Sequence, residues 1–150
     1  MSKTNDILLA AKARAEQSSL PYSGALTPDE AYELLQTVPG AKLVDVRSSA
    51  EWNFVGTVPG AVNIEWKRFP GMIDNPDFLS QLKQQVSAES LIMFLCRTGG
   101  RSDQAARLAA ANGFTDCFNV LEGFEGDKDG EQHRGTVSGW KARKLPWIQS

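Results

Sequence analysis

Cys96 opens the run Cys96-Arg97-Thr98-Gly99-Gly100-Arg101-Ser102, directly after the apolar stretch Leu91-Ile92-Met93-Phe94-Leu95. A strand that ends in a cysteine, followed by paired glycines, two arginines and a helix start, has the makings of an activated thiolate. Gly99 and Gly100 let the backbone curl until its N–H groups face the sulfur. A helix starting near Ser102 adds the positive end of its dipole. Arg97 and Arg101 add full positive charge and forked donors suited to an oxyanion. Together these features favour a deprotonated thiol and a bound anion. A second charged pair, Asp45 and Arg47, closes another apolar run, Leu43-Val44-Asp45-Val46. It reads either as a surface ion pair or as a support that orients the cysteine loop. The chemistry requires amides that converge on the sulfur and a path from solvent to it.

The remaining chemistry-bearing residues argue for little else. The other cysteine, Cys117, lies in Thr115-Asp116-Cys117-Phe118-Asn119-Val120 without glycines or arginines beside it, so it reads as a small buried hydrophobe. Two cysteines in 150 residues make no disulfide framework. One histidine, His133, in a polar loop, and no paired-cysteine spacing give no metal site, and no cofactor is expected. His133 reads as exposed, not as a general base. A net charge of -2 provides no basic field for nucleic acid or acidic membrane. Ile7-Leu8-Leu9-Ala10-Ala11 is too short and too charged at its flanks for a signal peptide, and no run is long enough to span a bilayer. A reducing cytoplasm is therefore expected, and it would keep Cys96 a free thiol.

Positioning these residues falls to alternating helices and strands. Residues 5–17 have helical spacing, and Ser18 to Gly24 break it. Thr27-Pro28-Asp29-Glu30 is a helix start with a capping box, and Gly40 is placed to end that helix. Strands are expected at 42–46, 62–64, 91–95 and 117–120, and helices at 48–52, 77–86 and 102–111. Residues 91–95 are apolar throughout, as suits a central parallel strand covered on both faces. In such α/β sheets, sites form beyond the carboxyl ends of the strands, where both charged clusters fall. The stretch 125–139 reads as a loop, and Trp140 with Leu145-Pro146-Trp147 is expected to fasten the C-terminus to the core.

Leu43-Val44-Asp45-Val46-Arg47, then Glu51-Trp52, Gly56, Val58-Pro59-Gly60-Ala61 and Asn63-Ile64, resemble the first signature of the rhodanese (sulfurtransferase) family. Cys96 to Ser102 resembles its active-site loop, and Gly113-Phe114 with Val120-Leu121-Glu122-Gly123-Phe124 resembles its last strand and turn. The resemblance covers roughly residues 25–126. It implies a single α/β domain with a central, mostly parallel five-stranded sheet flanked by helices on both faces. Residues 1–24 would then be an N-terminal helical extension, and 25–150 the domain with a C-terminal extension from about 127. The resemblance further implies Cys96 as the nucleophile that takes sulfane sulfur from thiosulfate or a persulfide donor. Backbone amides of Arg97, Thr98, Gly99, Gly100 and Arg101 would bind the donor, with Asp45, Arg47 and Ser102 in support. The implied partners are a small-molecule or protein sulfur donor and a thiol acceptor, acting on a monomer or weak homodimer. The chain departs from many relatives at Thr57-Val58, where His-Ile is usual.

Four rivals share these residues. A phosphatase of the related type needs its arginine one position farther from the cysteine, where Ser102 stands here; the tighter loop disfavours phosphate. A regulatory binding module has no use for a complete basic loop around a cysteine. A sulfur carrier or redox-sensing thiol would use the same residues as the enzyme.

Overall fold

The structure, a computed structural model, describes residues 3–149. Its first element, α1 (Lys3–Gln17), buries Ile7, Ala11 and Ala15. Arg14 anchors it further, donating to Glu30 at 2.6 and 3.1 Å and to the Ala25 carbonyl at 2.9 Å. The front segment therefore packs on the domain. Ser23 and Gly24, read from sequence as part of a break, lead straight into β1 (Gly24–Leu26). A Cβ at Gly24 would lie 2.9 Å from Ala11 and from the Phe118 ring, so only glycine lets α1 sit this close.

Helix α2 (Pro28–Thr37) begins with the expected capping box: the Thr27 hydroxyl accepts from Glu30 N, and the Glu30 carboxylate accepts from Thr27 N. It caps at Val38, ahead of Gly40, which instead takes a positive φ of 76° in the following turn. Next come β2 (Lys42–Asp45), α3 (Ser49–Phe54) and β3 (Val62–Asn63). A small antiparallel hairpin, β4 (Lys67–Arg68) with β5 (Ile73–Asp74), was not foreseen; each arm has two residues and no apolar periodicity. The chain finishes with α4 (Phe78–Gln85), β6 (Leu91–Leu95), α5 (Gly100–Ala111) and β7 (Asp116–Val120).

The main sheet has five strands in the order β1-β7-β6-β2-β3, all parallel. β6 is central, and side chains alternate along it. Ile92 and Phe94 face the layer built on α4 and α5, with Phe78, Leu82, Ala105, Ala106 and Ala109. Met93 and Leu95 face the layer of α1 and α2, with Ile7, Ala31, Leu34 and the buried Trp140. The next residue in this alternation is Cys96, which falls on the α5 side. Strand periodicity alone thus aims the thiol at the N-terminus of the helix that follows it.

Candidate active site

At the carboxyl end of β6 the chain turns back into α5, and one glycine, Gly99, makes the turn possible. Gly99 is the N-cap residue of α5 at φ 111°, a left-handed conformation that a side chain resists. The helix consequently begins at Gly100, ahead of the expected start at Ser102. The Gly99 amide donates to Cys96 Sγ at 3.0 Å. The Ser102 hydroxyl, in the first turn of α5, lies 3.3 Å from the same sulfur and 2.5 Å from Asn119 Oδ1. Asn119 is fixed in turn by donating to the Gly99 carbonyl at 3.2 Å. Gly100 and Arg101 begin the helix, so their amides have no acceptor within it and remain for an anion.

The base of the loop is clamped from β7. Phe124 N donates to the Cys96 carbonyl at 2.8 Å, and Glu125 N and Gly126 N donate to the Arg97 carbonyl. The turn between, at Gly123 (φ 70°), comes so near that a Cβ there would lie 2.4 Å from the Arg97 carbonyl oxygen. Cys96 itself is 1% exposed, so the sulfur lies beneath the loop surface.

The supporting charges do not form a surface ion pair. Asp45 and Arg47 are wholly buried. Arg47 donates to Asp45 through Nε at 2.9 Å and through its terminal nitrogen at 2.6 Å, and to the Gly56 carbonyl at 2.7 Å. Its guanidinium lies 4.2 Å from the centre of the Phe124 ring. The pair therefore reaches the cysteine loop through Phe124, whose amide holds the Cys96 carbonyl. Arg101 also departs from expectation, because its fork is already filled. It donates to the two Glu51 oxygens at 2.7 and 2.8 Å. Glu51 caps α3 as well, accepting from Ser48 N and Oγ. Burial alone would raise the Glu51 pKa; hydrogen bonds from Arg101 and then Ser48 outweigh it and hold the carboxyl at about 2. Arg97 is exposed and, among the described residues, joins no ion pair. Thr98 is exposed beside it.

A cavity of about 460 Å³ opens against Arg97 and Arg101. Glu51 and Glu125 contribute carboxylates to its wall, and Val55, Phe69 and Met72 contribute apolar surface. Cys117 lies elsewhere in the core, and burial, with Asp116 second, pushes its thiol up to about 12. His133 is exposed, and its backbone hydrogen bonds go to Asp129. Trp66 walls a separate cavity of about 670 Å³ with Gln104, Arg107 and Phe78. Among the described residues, no group of three His, Cys, Asp or Glu side chains is placed to hold a metal ion. No helix among them is long and apolar enough to cross a membrane.

A family model described as a rhodanese-like domain matches residues 27–129. The chain belongs to this rhodanese-like family. A solved structure, Rv0390 from M. tuberculosis, superposes with a TM-score of 0.80 at 43% identity, covering 86% of this chain and 99% of that one. Thiosulfate sulfurtransferase 16, a chloroplastic protein of Arabidopsis thaliana, is 33% identical over 73% of this chain and 89% of its own length. An uncharacterised protein of Rickettsia rickettsii is 36% identical over 79% of this chain and 91% of its own length. Two residues of this rhodanese-like site escaped the sequence reading. Ser48-x-x-Glu51 has capping-box spacing that marks the start of α3, but nothing local reports the tie from Glu51 to Arg101. Asn119 sits among apolar residues of β7, and that setting alone was the available signal for a polar role.

Proposed function

We propose that this chain is a sulfurtransferase that works through a Cys96 persulfide. The Cys96 thiolate attacks the outer sulfur of the donor. The donor's S–S bond breaks, and its electron pair leaves with sulfite when the donor is thiosulfate, or with a thiolate when the donor is a persulfide. An acceptor thiolate or cyanide then attacks the sulfur carried on Cys96 and frees the cysteine. The observation that carries the reading is Cys96 Sγ held by the Gly99 amide and the Ser102 hydroxyl, with the amides that open α5 beside it. These donors favour negative charge on either sulfur. Asp45 and Arg47 act as supports through Phe124, and Arg97 is the cation open to a donor. The name of the Arabidopsis relative supports thiosulfate as a donor to test. A reducing compartment such as the cytoplasm suits two unpaired cysteines.

The near-complete cover of Cys96 favours a second reading, a sulfur carrier or regulatory module that loads once and does not turn over. Intact-mass measurement after thiosulfate treatment, followed by a cyanide turnover assay, separates the two. The enzyme gains one sulfur atom, keeps that gain in Cys117→Ser, loses it in Cys96→Ser and turns over. Loading without turnover supports the carrier. Sulfur transfer that survives in Cys96→Ser would falsify both.

A further inference from the structure

The cavity beside the cysteine loop has a charge balance and a wall that suit one kind of donor better than another. Its four charged side chains are Arg97, Arg101, Glu51 and Glu125, two of each sign. Arg101 is held by Glu51, so its charge is compensated where it stands. A small dianion entering this space meets one uncompensated arginine, Arg97, and a carboxylate, Glu125. The same wall also carries apolar side chains. Phe69 and Met72 belong to the loop between β4 and β5 and are 61% and 42% exposed. Val55, at the end of α3, is half-buried beside them. The volume of about 460 Å³ is many times that of an inorganic oxyanion. It lies in the range of about 300–1,000 Å³ typical of pockets for organic ligands.

We propose that the donor served by this cavity is an organic persulfide with an uncharged, apolar body, in preference to thiosulfate. The inference rests on the Cys96 persulfide reading above. The body of the donor lies against Phe69, Met72 and Val55, and its sulfane sulfur points toward the cysteine loop. The step is balanced without any further reactant. The Cys96 thiolate attacks the terminal sulfur of R–S–SH, the bond between the two donor sulfurs breaks, and R–S⁻ leaves with the electron pair. The transferred sulfur keeps its proton, and Cys96 becomes the persulfide. The leaving group carries a single negative charge, which Arg97 matches; sulfite from thiosulfate carries two. The hairpin loop thus sets donor choice, a role that its two-residue strands do not suggest.

The test compares rates of Cys96 loading, read by intact mass, with benzyl persulfide and with thiosulfate. Benzyl persulfide should load at least about tenfold faster per unit concentration, a factor that one or two buried apolar contacts supply. The double variant Phe69→Ala/Met72→Ala should cut the ratio of the two rates at least about fivefold, while Phe69→Leu keeps most of it. Both residues are exposed, so folding does not confound the result, and thermal unfolding of each variant checks this. Thiosulfate loading as fast as benzyl persulfide, or a ratio unmoved by the double variant, overturns the proposal. Failure of both donors to load Cys96 overturns the underlying persulfide reading instead.

Discussion

Ser102 has one hydroxyl proton and two acceptors within reach, Asn119 Oδ1 at 2.5 Å and Cys96 Sγ at 3.3 Å. While the thiol keeps its proton, the hydroxyl belongs to Asn119, the nearer oxygen. When sulfur carries negative charge, the hydroxyl gains by turning to it, because a charged acceptor makes the stronger bond. Asn119 is held by the Gly99 carbonyl, so it stays in place through the exchange. Removing the donor exposes its worth. A hydrogen bond to a charged group contributes about 1.5–3 kcal/mol, part of which is offset because a stabilised thiolate is the weaker nucleophile, so Ser102→Ala should slow Cys96 alkylation by iodoacetamide at neutral pH by roughly four- to fifteenfold. Cys117 is the control within the same molecule. Burial pushes it up to about 12, and it should stay unmodified in both proteins. An unchanged Cys96 rate would mean that Ser102 only fills space.

At the scale of elements, α3 is a helix of six residues none of which is fully buried, and among the described residues one ion pair holds it to the site. Glu51 both caps this helix and grips Arg101 on α5. Its pKa of about 2 in the folded protein lies below the ordinary 4.5. The carboxylate therefore stabilises the fold fully above pH 4.5, and that contribution is lost as pH falls from 4.5 toward 2. Glu51→Gln should lower stability at neutral pH by about 1–3 kcal/mol. It should also flatten the pH dependence of urea unfolding in that acid window. A variant that keeps the wild-type acid slope would place the titrating group elsewhere. This tie also marks where sequence reading stopped. Local signals announced α2 through its capping box, β6 through its unbroken apolar run and the cysteine turn through its glycines. The Glu51–Arg101 pair spans fifty residues, and no local pattern encodes such a contact. β1 escaped for a related reason. It has three residues and is a strand because β7 lies alongside it, at a spot where its own glycine reads as a break. Arg47 is the opposite case. Its type and place were legible, but its complete burial depends on Gly56 and Phe124 arriving from other parts of the chain.

Across the whole molecule, residues 140–149 act as a strap under the site. Trp140 is fully buried, its amide donates to the Gly123 carbonyl and its indole donates to the Pro146 carbonyl. It stands edge-on to Tyr32 of α2 with centroids 6.0 Å apart. It therefore supports the Gly123 turn that presses on the cysteine loop. Trp147 sits farther out, 37% exposed, with Lys141 4.1 Å from its ring and Phe124 edge-on. Just beyond it, Ile148 pairs with Thr57 in both directions at 2.8 Å, fixing the chain after α3. The two tryptophans thus have different tasks, and the cost of removing each should differ. Trp140→Ala leaves a large cavity in the core and should lower stability by about 3–5 kcal/mol. Trp147→Ala loses a half-covered contact and should cost about 1–2 kcal/mol. It also frees the edge of Gly56, whose carbonyl Arg47 uses, so Cys96 loading should slow in a variant that is still folded. Urea unfolding with the loading rate measured on the same samples checks both expectations. If Trp147→Ala destabilises the protein as much as Trp140→Ala, the strap is one cooperative piece of core. If it leaves loading untouched, the outer end of the strap has no hold on the site.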